Sequence, residues 1–203
     1  MNYSDIKDLA LSYSDREDAE VSNRIDNFLR IVEARINRFL QVRKMASRVV
    51  LVTDENQEYY GLPNDFNGLR DIEIRASLDS TTRTTLKYLN PEQLNAVNED
   101  YDGIYYAIIG DQLLIRPAQE NKILELIYYQ KVPALSSTDT TNWLSDDYPD
   151  AYVFGILVEI SAFVKDVEAT QMWEQRFSAA LGAIENTDSR NRWSGVSLEM
   201  RNG

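Results

Sequence analysis

Within residues 21–40 the apolar side chains fall at helical steps: Val21, Ile25, Phe28, Leu29, Val32, Ile36, Phe39 and Leu40 recur at intervals of three and four. The spacing predicts one long helix over about residues 18–45, apolar on one face and arginine-bearing on the other. A shorter helix is expected over residues 4–13, with Ile6, Leu9, Ala10 and Tyr13 facing inward and Ser4 as cap. Residues 14–18 form a polar break between the two.

Past Val49 the period changes. Residues 49–52 are a β-branched run, residues 58–62 form a strand candidate closed by Pro63, and residues 69–76 alternate apolar with polar. Residues 84–89 follow, and Asn90-Pro91-Glu92 opens a short helical turn. Residues 105–109 and 113–116 flank Gly110-Asp111-Gln112, a hairpin signal in which Gly110 is free to take positive φ. Residues 123–129 supply the last strand.

Helix returns at Pro149, a favoured first-turn residue. Residues 151–164 are apolar nearly all round, as in a helix buried on every side. Lys165 and Asp166 break it. A second helix over residues 168–185 carries the stripe Met172, Trp173, Phe177, Ala180, Leu181 and Ile184. Residues 186–203 are aperiodic, either a frayed, disordered end or an arm that orders on a partner through Arg190, Arg192, Trp193, Val196, Leu198 and Met200.

The expected fold class is thus α+β: mainly an α-helical bundle, with a long helix near the N-terminus and two helices near the C-terminus, and an inserted small antiparallel β module. Residues 1–48 and 132–186 make the bundle, residues 49–131 the insertion and residues 187–203 an extended C-terminal arm.

Composition narrows the chemistry. The 203 residues include no Cys and no His, which removes disulfides, thiolate nucleophiles, imidazole bases and His-ligated metals together. Carboxylates, Lys and Tyr remain, and no phosphate-cradling glycine loop or nucleophile elbow occurs in the sequence. The chain is therefore expected to be no enzyme and to take no cofactor and no metal. Of the acidic runs 15–18, 99–102 and 146–147, the second loosely suggests a calcium loop but lacks the alternating spacing and terminal Glu of one, and a solvated turn is the plainer account. No leader is expected near the N-terminus, and no apolar run is long enough for a bilayer span. The expectation is a protein made in a cytoplasm without membrane contact.

The net charge is −12, which disfavours tight binding to a nucleic acid backbone. It is unevenly spread. Residues 21–48 hold seven cations (Arg24, Arg30, Arg35, Arg38, Arg43, Lys44 and Arg48) against Asp26 and Glu33. That is +5, leaving −17 for the remainder. Arg24, Arg35, Arg38, Arg43 and Lys44 are candidate contact residues on a basic helix, with a solvated, locally paired face as the plainer account. The doublets Tyr59-Tyr60, Tyr105-Tyr106 and Tyr128-Tyr129 lie on expected strands, one ring to each face. They suit a core-plus-edge role, or a stacking platform in a glycan-binding module.

Several stretches resemble the head-to-tail adaptor (connector) proteins of tailed bacteriophages. One is Asn142-Trp143-Leu144 through Tyr148-Pro149-Asp150-Ala151-Tyr152, then the apolar helix to Val164-Lys165-Asp166 and Trp173-Glu174-Gln175-Arg176-Phe177. Others are Leu62-Pro63-Asn64-Asp65-Phe66, the segment 106–117, and Ile127-Tyr128-Tyr129-Gln130-Lys131-Val132-Pro133. The resemblance implies a helical protomer that forms a ring, typically of twelve copies, between the portal protein and a tail or nozzle protein. It implies a virion component of the neck, assembled in the bacterial host cytoplasm, with double-stranded DNA passing through the ring without sequence-specific binding. No catalytic residues come with the resemblance. Another neck or tail completion protein of the virion is the neighbouring possibility.

Overall fold

The computed structural model describes residues 1–15, 18–97 and 102–193. Helices α1 (Tyr3–Ser14), α2 (Ala19–Ser22) and α3 (Ile25–Phe39) lead to a single 3₁₀ turn, Arg43–Met45. Strands β1 (Ala46–Val52), β2 (Tyr59–Gly61), β3 (Phe66–Arg75), β4 (Thr84–Thr85) and β5 (Lys87–Tyr88) follow. The short α4 (Pro91–Leu94) precedes β6 (Tyr105–Ile109), β7 (Gln112–Arg116) and β8 (Ile123–Gln130). The chain closes with α5 (Trp143–Asp147), α6 (Pro149–Phe163) and α7 (Val167–Trp193).

Two compact units result: Met1–Lys44 with Val132–Gly203, and Met45–Lys131. Residues 45–48 belong with the strands rather than with the helices, because β1 already pairs with β8 from Ala46 opposite Tyr129.

In the helical unit α6 is the central element, packed by α1, α3 and α7. It buries Ala151, Tyr152, Val153, Ile156, Leu157, Val158 and Ile160, as expected of a helix apolar on all sides. Gly155 brings α3 close: a Cβ there would lie 2.5 Å from Val32 Cγ1 and 3.1 Å from Phe177. Lys165 ends α6 in the left-handed region at φ 63°, and Asp166 caps α7 by accepting from Ala169 N–H.

Three expectations are corrected here. The long helix over residues 18–45 is two helices. Asp18 caps α2, Arg24 takes φ −106° and ψ −4° before α3, and Leu40 turns extended at ψ 135°. The apolar period runs on through the break because Val21 and Ile25 are both buried, so pattern alone does not mark it. The cap of α1 is Asn2, not Ser4; it forms a reciprocal capping box with Asp5. Finally, α7 does not stop near residue 185. It continues to Trp193, where an extended arm was expected from 187, and Asp188 on the added turns accepts from Arg43 N–H and Nε–H at 3.1 and 3.0 Å. A tertiary ion pair thus holds a polar stretch helical that has no apolar stripe of its own.

The strand unit is two four-stranded sheets, ordered β1-β8-β3-β4 and β2-β7-β6-β5, antiparallel except for β5 beside β6. Tyr60, Ile72, Ile74, Leu113, Ile115, Leu124 and Leu126 form the main core from both sheets. A second small core sets Leu94 and Val97 against Ala107 and Leu114. The β6–β7 hairpin turns at Gly110 with φ 63°, the conformation foreseen for it. In the doublets, Tyr60 is 5% exposed and donates to the Gln57 carbonyl at 2.8 Å, while Tyr59 is 44% exposed. Tyr128 is likewise buried and donates to Asp65 at 3.0 Å. These rings are committed to the fold and its edges.

Candidate assembly surface of the helical unit

The cations of the basic segment meet different fates. The Arg35 guanidinium donates to Glu159 on α6 at 3.2 Å and to both oxygens of Glu174 on α7, at 2.6 and 2.8 Å, and it stacks 4.8 Å from the Phe177 ring centre. Burial works against its charge, and the bonds to Glu174 and Glu159 more than offset that, so its pKa is raised. Arg43 binds Asp188, and Lys44 binds Asp147 while lying 5.7 Å over the Trp143 ring. Arg48 belongs to the strand unit, where its guanidinium donates twice to Glu125 at 2.7 and 2.8 Å. Arg24, Arg30 and Arg38 remain exposed on or beside α3. Arg24 lies 5.3 Å from the Phe163 ring centre, and Arg38 Nε donates to the Ala34 carbonyl at 3.3 Å. Beside them Ile31 and Phe39 are 45% and 50% exposed. The outward side of α3 is therefore a mixed arginine and apolar surface.

Of the C-terminal candidates, Arg190 is exposed on α7, Arg192 and Trp193 lie in its last turn, and Val196, Leu198 and Met200 are outside the described residues. Near that end of α7, a cleft of about 230 Å³ is lined by Val42, Trp143, Tyr148, Ile184 and Asp188 among others. The Trp143 Nε1–H is buried there without an acceptor among the described residues.

The motif around Asn142 is explained by a buried polar knot. Asn142 Oδ1 accepts from Ser145 N–H at 2.8 Å, and its amide nitrogen donates to the Pro133 carbonyl at 2.6 Å and to the Tyr152 hydroxyl at 2.8 Å. Ser145 Oγ answers by accepting from Asn142 N–H at 2.9 Å. Tyr152 is fully buried, and burial pushes its hydroxyl pKa upward. Glu33 and Asn37 on α3 tie the preceding segment, accepting from Leu135 N–H at 2.7 Å and Val132 N–H at 2.8 Å. Burial also raises the Glu33 carboxyl, only partly countered by the Leu135 bond.

Sequence reasoning singled out the cations but missed their acids. Glu174 stands 139 residues from Arg35, and Asp188 stands 145 from Arg43. No local spacing signals such pairs. Among the described residues no group of three or more acids is placed to hold a metal, and no helix is long and apolar enough to cross a membrane. The acidic run at 99–102 falls outside the described residues except for Asp102.

No curated protein matches the chain. The family described as SU10 adaptor protein matches residues 1–201, and the chain belongs to that family. It is a structural adaptor of the phage particle, a virion component that works through contacts with other virion proteins.

Proposed function

We propose that this SU10 adaptor family member builds a ring, of twelve copies, between portal and tail, extends the DNA channel there and helps retain and pass the genome. The observation that carries the reading is the family match over residues 1–201, essentially the whole chain. Charge supports it. The helical unit holds 19 acidic and 13 basic residues and the strand unit 14 and 8, so each is −6. Acidic walls gain no counterion release from phosphates and let a duplex slide. Much of the negative charge outside the basic segment faces the channel in this arrangement. The exposed arginines of α3 and the end of α7 meet the portal or a neighbouring copy.

The test is to mix the purified protein with portal particles of the same virion and image the product by negative-stain microscopy with mass measurement. A ring of added density, one copy per portal subunit, is expected. Portal that stays bare while the adaptor stays monomeric overturns the proposal. A ring whose lumen is lined by basic residues overturns the sliding-channel part of it.

A further inference from the structure

Both sheets of the strand unit end in edges, and three of the four are minimal. Strands β4 and β5 have two residues each and β2 has three. Short edges protect a sheet from unwanted pairing. The fourth edge, β1, is seven residues long, contains no Pro and no Lys, and runs beside β8 without a register shift. Its exposed residues are Arg48, which is paired with Glu125 of β8, and the apolar Val50 and Val52, 36% and 64% exposed. Thr53 exchanges main-chain bonds with the β8 side, donating to the Lys122 carbonyl at 2.9 Å and accepting from Asn121 N–H at 3.0 Å. By the two-residue period, Leu51, Val49 and Ser47 also turn inward, so Arg48, Val50 and Val52 present their N–H and C=O groups outward. Arg48 is the single charge on this edge and is tied back to Glu125 of β8, which leaves residues 50–52 as a template for a further strand.

The same chain carries a segment fit to occupy it. Ten residues, 194–203, follow the end of α7 at Trp193. Within them Val196-Ser197-Leu198-Glu199-Met200-Arg201 alternates apolar and polar without exception. A two-residue period of this kind has no helical step in it and is the signature of a strand with one apolar face. Extended, ten residues reach ~33 Å, against ~23 Å for the seven of β1.

We infer that the segment 196–201 of one copy adds as a strand to the β1 edge of a second copy. Edge and strand are different patches of one chain, so the contact is head-to-tail, and head-to-tail contacts close into rings when the rotation allows. Main-chain bonds supply the adhesion, and the apolar side chains of Val196, Leu198 and Met200 cover Val50 and Val52 or the flank of the core. The inference rests on the ring reading above and names the contact that links its copies.

The chain has no cysteine, which makes the test clean. Full-length protein carrying Val52→Cys and Leu198→Cys is assembled on portal particles and treated with a short bismaleimide. A ladder of masses spaced by one chain is expected, and it is lost when either cysteine is omitted. The Leu198→Pro variant, which removes one main-chain donor from the segment, is expected to lower ring occupancy at least tenfold while leaving the thermal midpoint unchanged. A link within one chain, a link to portal, or no link in particles that still carry the added ring each overturns strand exchange and leaves the adaptor reading standing. Bare portal, with the untreated native protein also unbound, removes both.

Discussion

A single guanidinium nitrogen of Arg35 donates to both carboxylate oxygens of Glu174, 2.6 and 2.8 Å away, joining α3 to α7. The pair also reaches Glu159, so one arginine fastens three helices. Glu174 is 43% exposed and Glu159 20%, so solvent screens the stronger of the two pairs and limits the gain from charge alone. Arg35→Ala should lower stability by about 1–2 kcal/mol, through lost charge-assisted bonds and lost packing on Phe177. Urea unfolding followed by circular dichroism measures this, and an unchanged midpoint contradicts the structural role.

Arg24 and Arg38 make the opposite case. Both are exposed, so charge reversal at the two together should change stability by no more than about 0.5 kcal/mol. Portal attachment should weaken, more so as salt is lowered. Binding titrations at two ionic strengths decide it, and identical attachment to that of the native protein would remove α3 from the contact surface.

Gly155→Ala places a methyl group 2.5 Å from Val32 Cγ1, inside a packed core. Overpacking of this kind costs about 1–3 kcal/mol. The companion change Val32→Ala should recover part of the loss in the double variant, a non-additivity that separates steric conflict from helix propensity.

Asn142 holds Pro133, Ser145 and Tyr152 together from a buried position. Asn142→Ala leaves Ser145 N–H without that acceptor and should cost about 2–3 kcal/mol; Tyr152→Phe, which removes one acceptor and keeps the ring, should cost about 1 kcal/mol. Thermal unfolding of the two variants in parallel tests the ordering.

Two glutamates give opposite pH dependences. Arg48 holds the Glu125 carboxyl below the usual glutamate value of 4.5, with Arg83 and Arg75 adding to it. Its contribution is therefore complete above pH 4.5 and is lost as pH falls through the lowered folded value. Burial raises Glu33 above 4.5, so its contribution is complete below that pH and is lost as pH rises through the raised folded value. Glu33→Gln keeps an acceptor for Leu135 N–H and should unfold at higher urea than the native protein at pH 7, with the advantage gone near pH 4. Glu125→Gln should be less stable at pH 7, with the deficit shrinking in acid. Equal curves for a variant and the native protein across this range would refute the assignment for that residue.

Local chemistry was written plainly in the sequence. The all-round apolar run became the buried α6, Asn90 and Pro91 opened α4, Gly110 turned the β6–β7 hairpin, and the stripe Phe177, Ala180, Leu181 and Ile184 is buried on α7. Each of these depends on residues within a few positions of one another, so spacing and turn preferences suffice. The absence of Cys and His likewise fixed which chemistries the chain lacks the groups for. Tertiary structure decided the rest. The break between α2 and α3 leaves the apolar period intact, and the last turns of α7 are held by Arg43 rather than by a stripe. Which cations are committed and which face outward depended on Glu159, Glu174, Asp147 and Asp188, all more than 100 residues from their partners in sequence. Charge pairing acts through space over a few ångströms, so it is invisible to any pattern read along the chain.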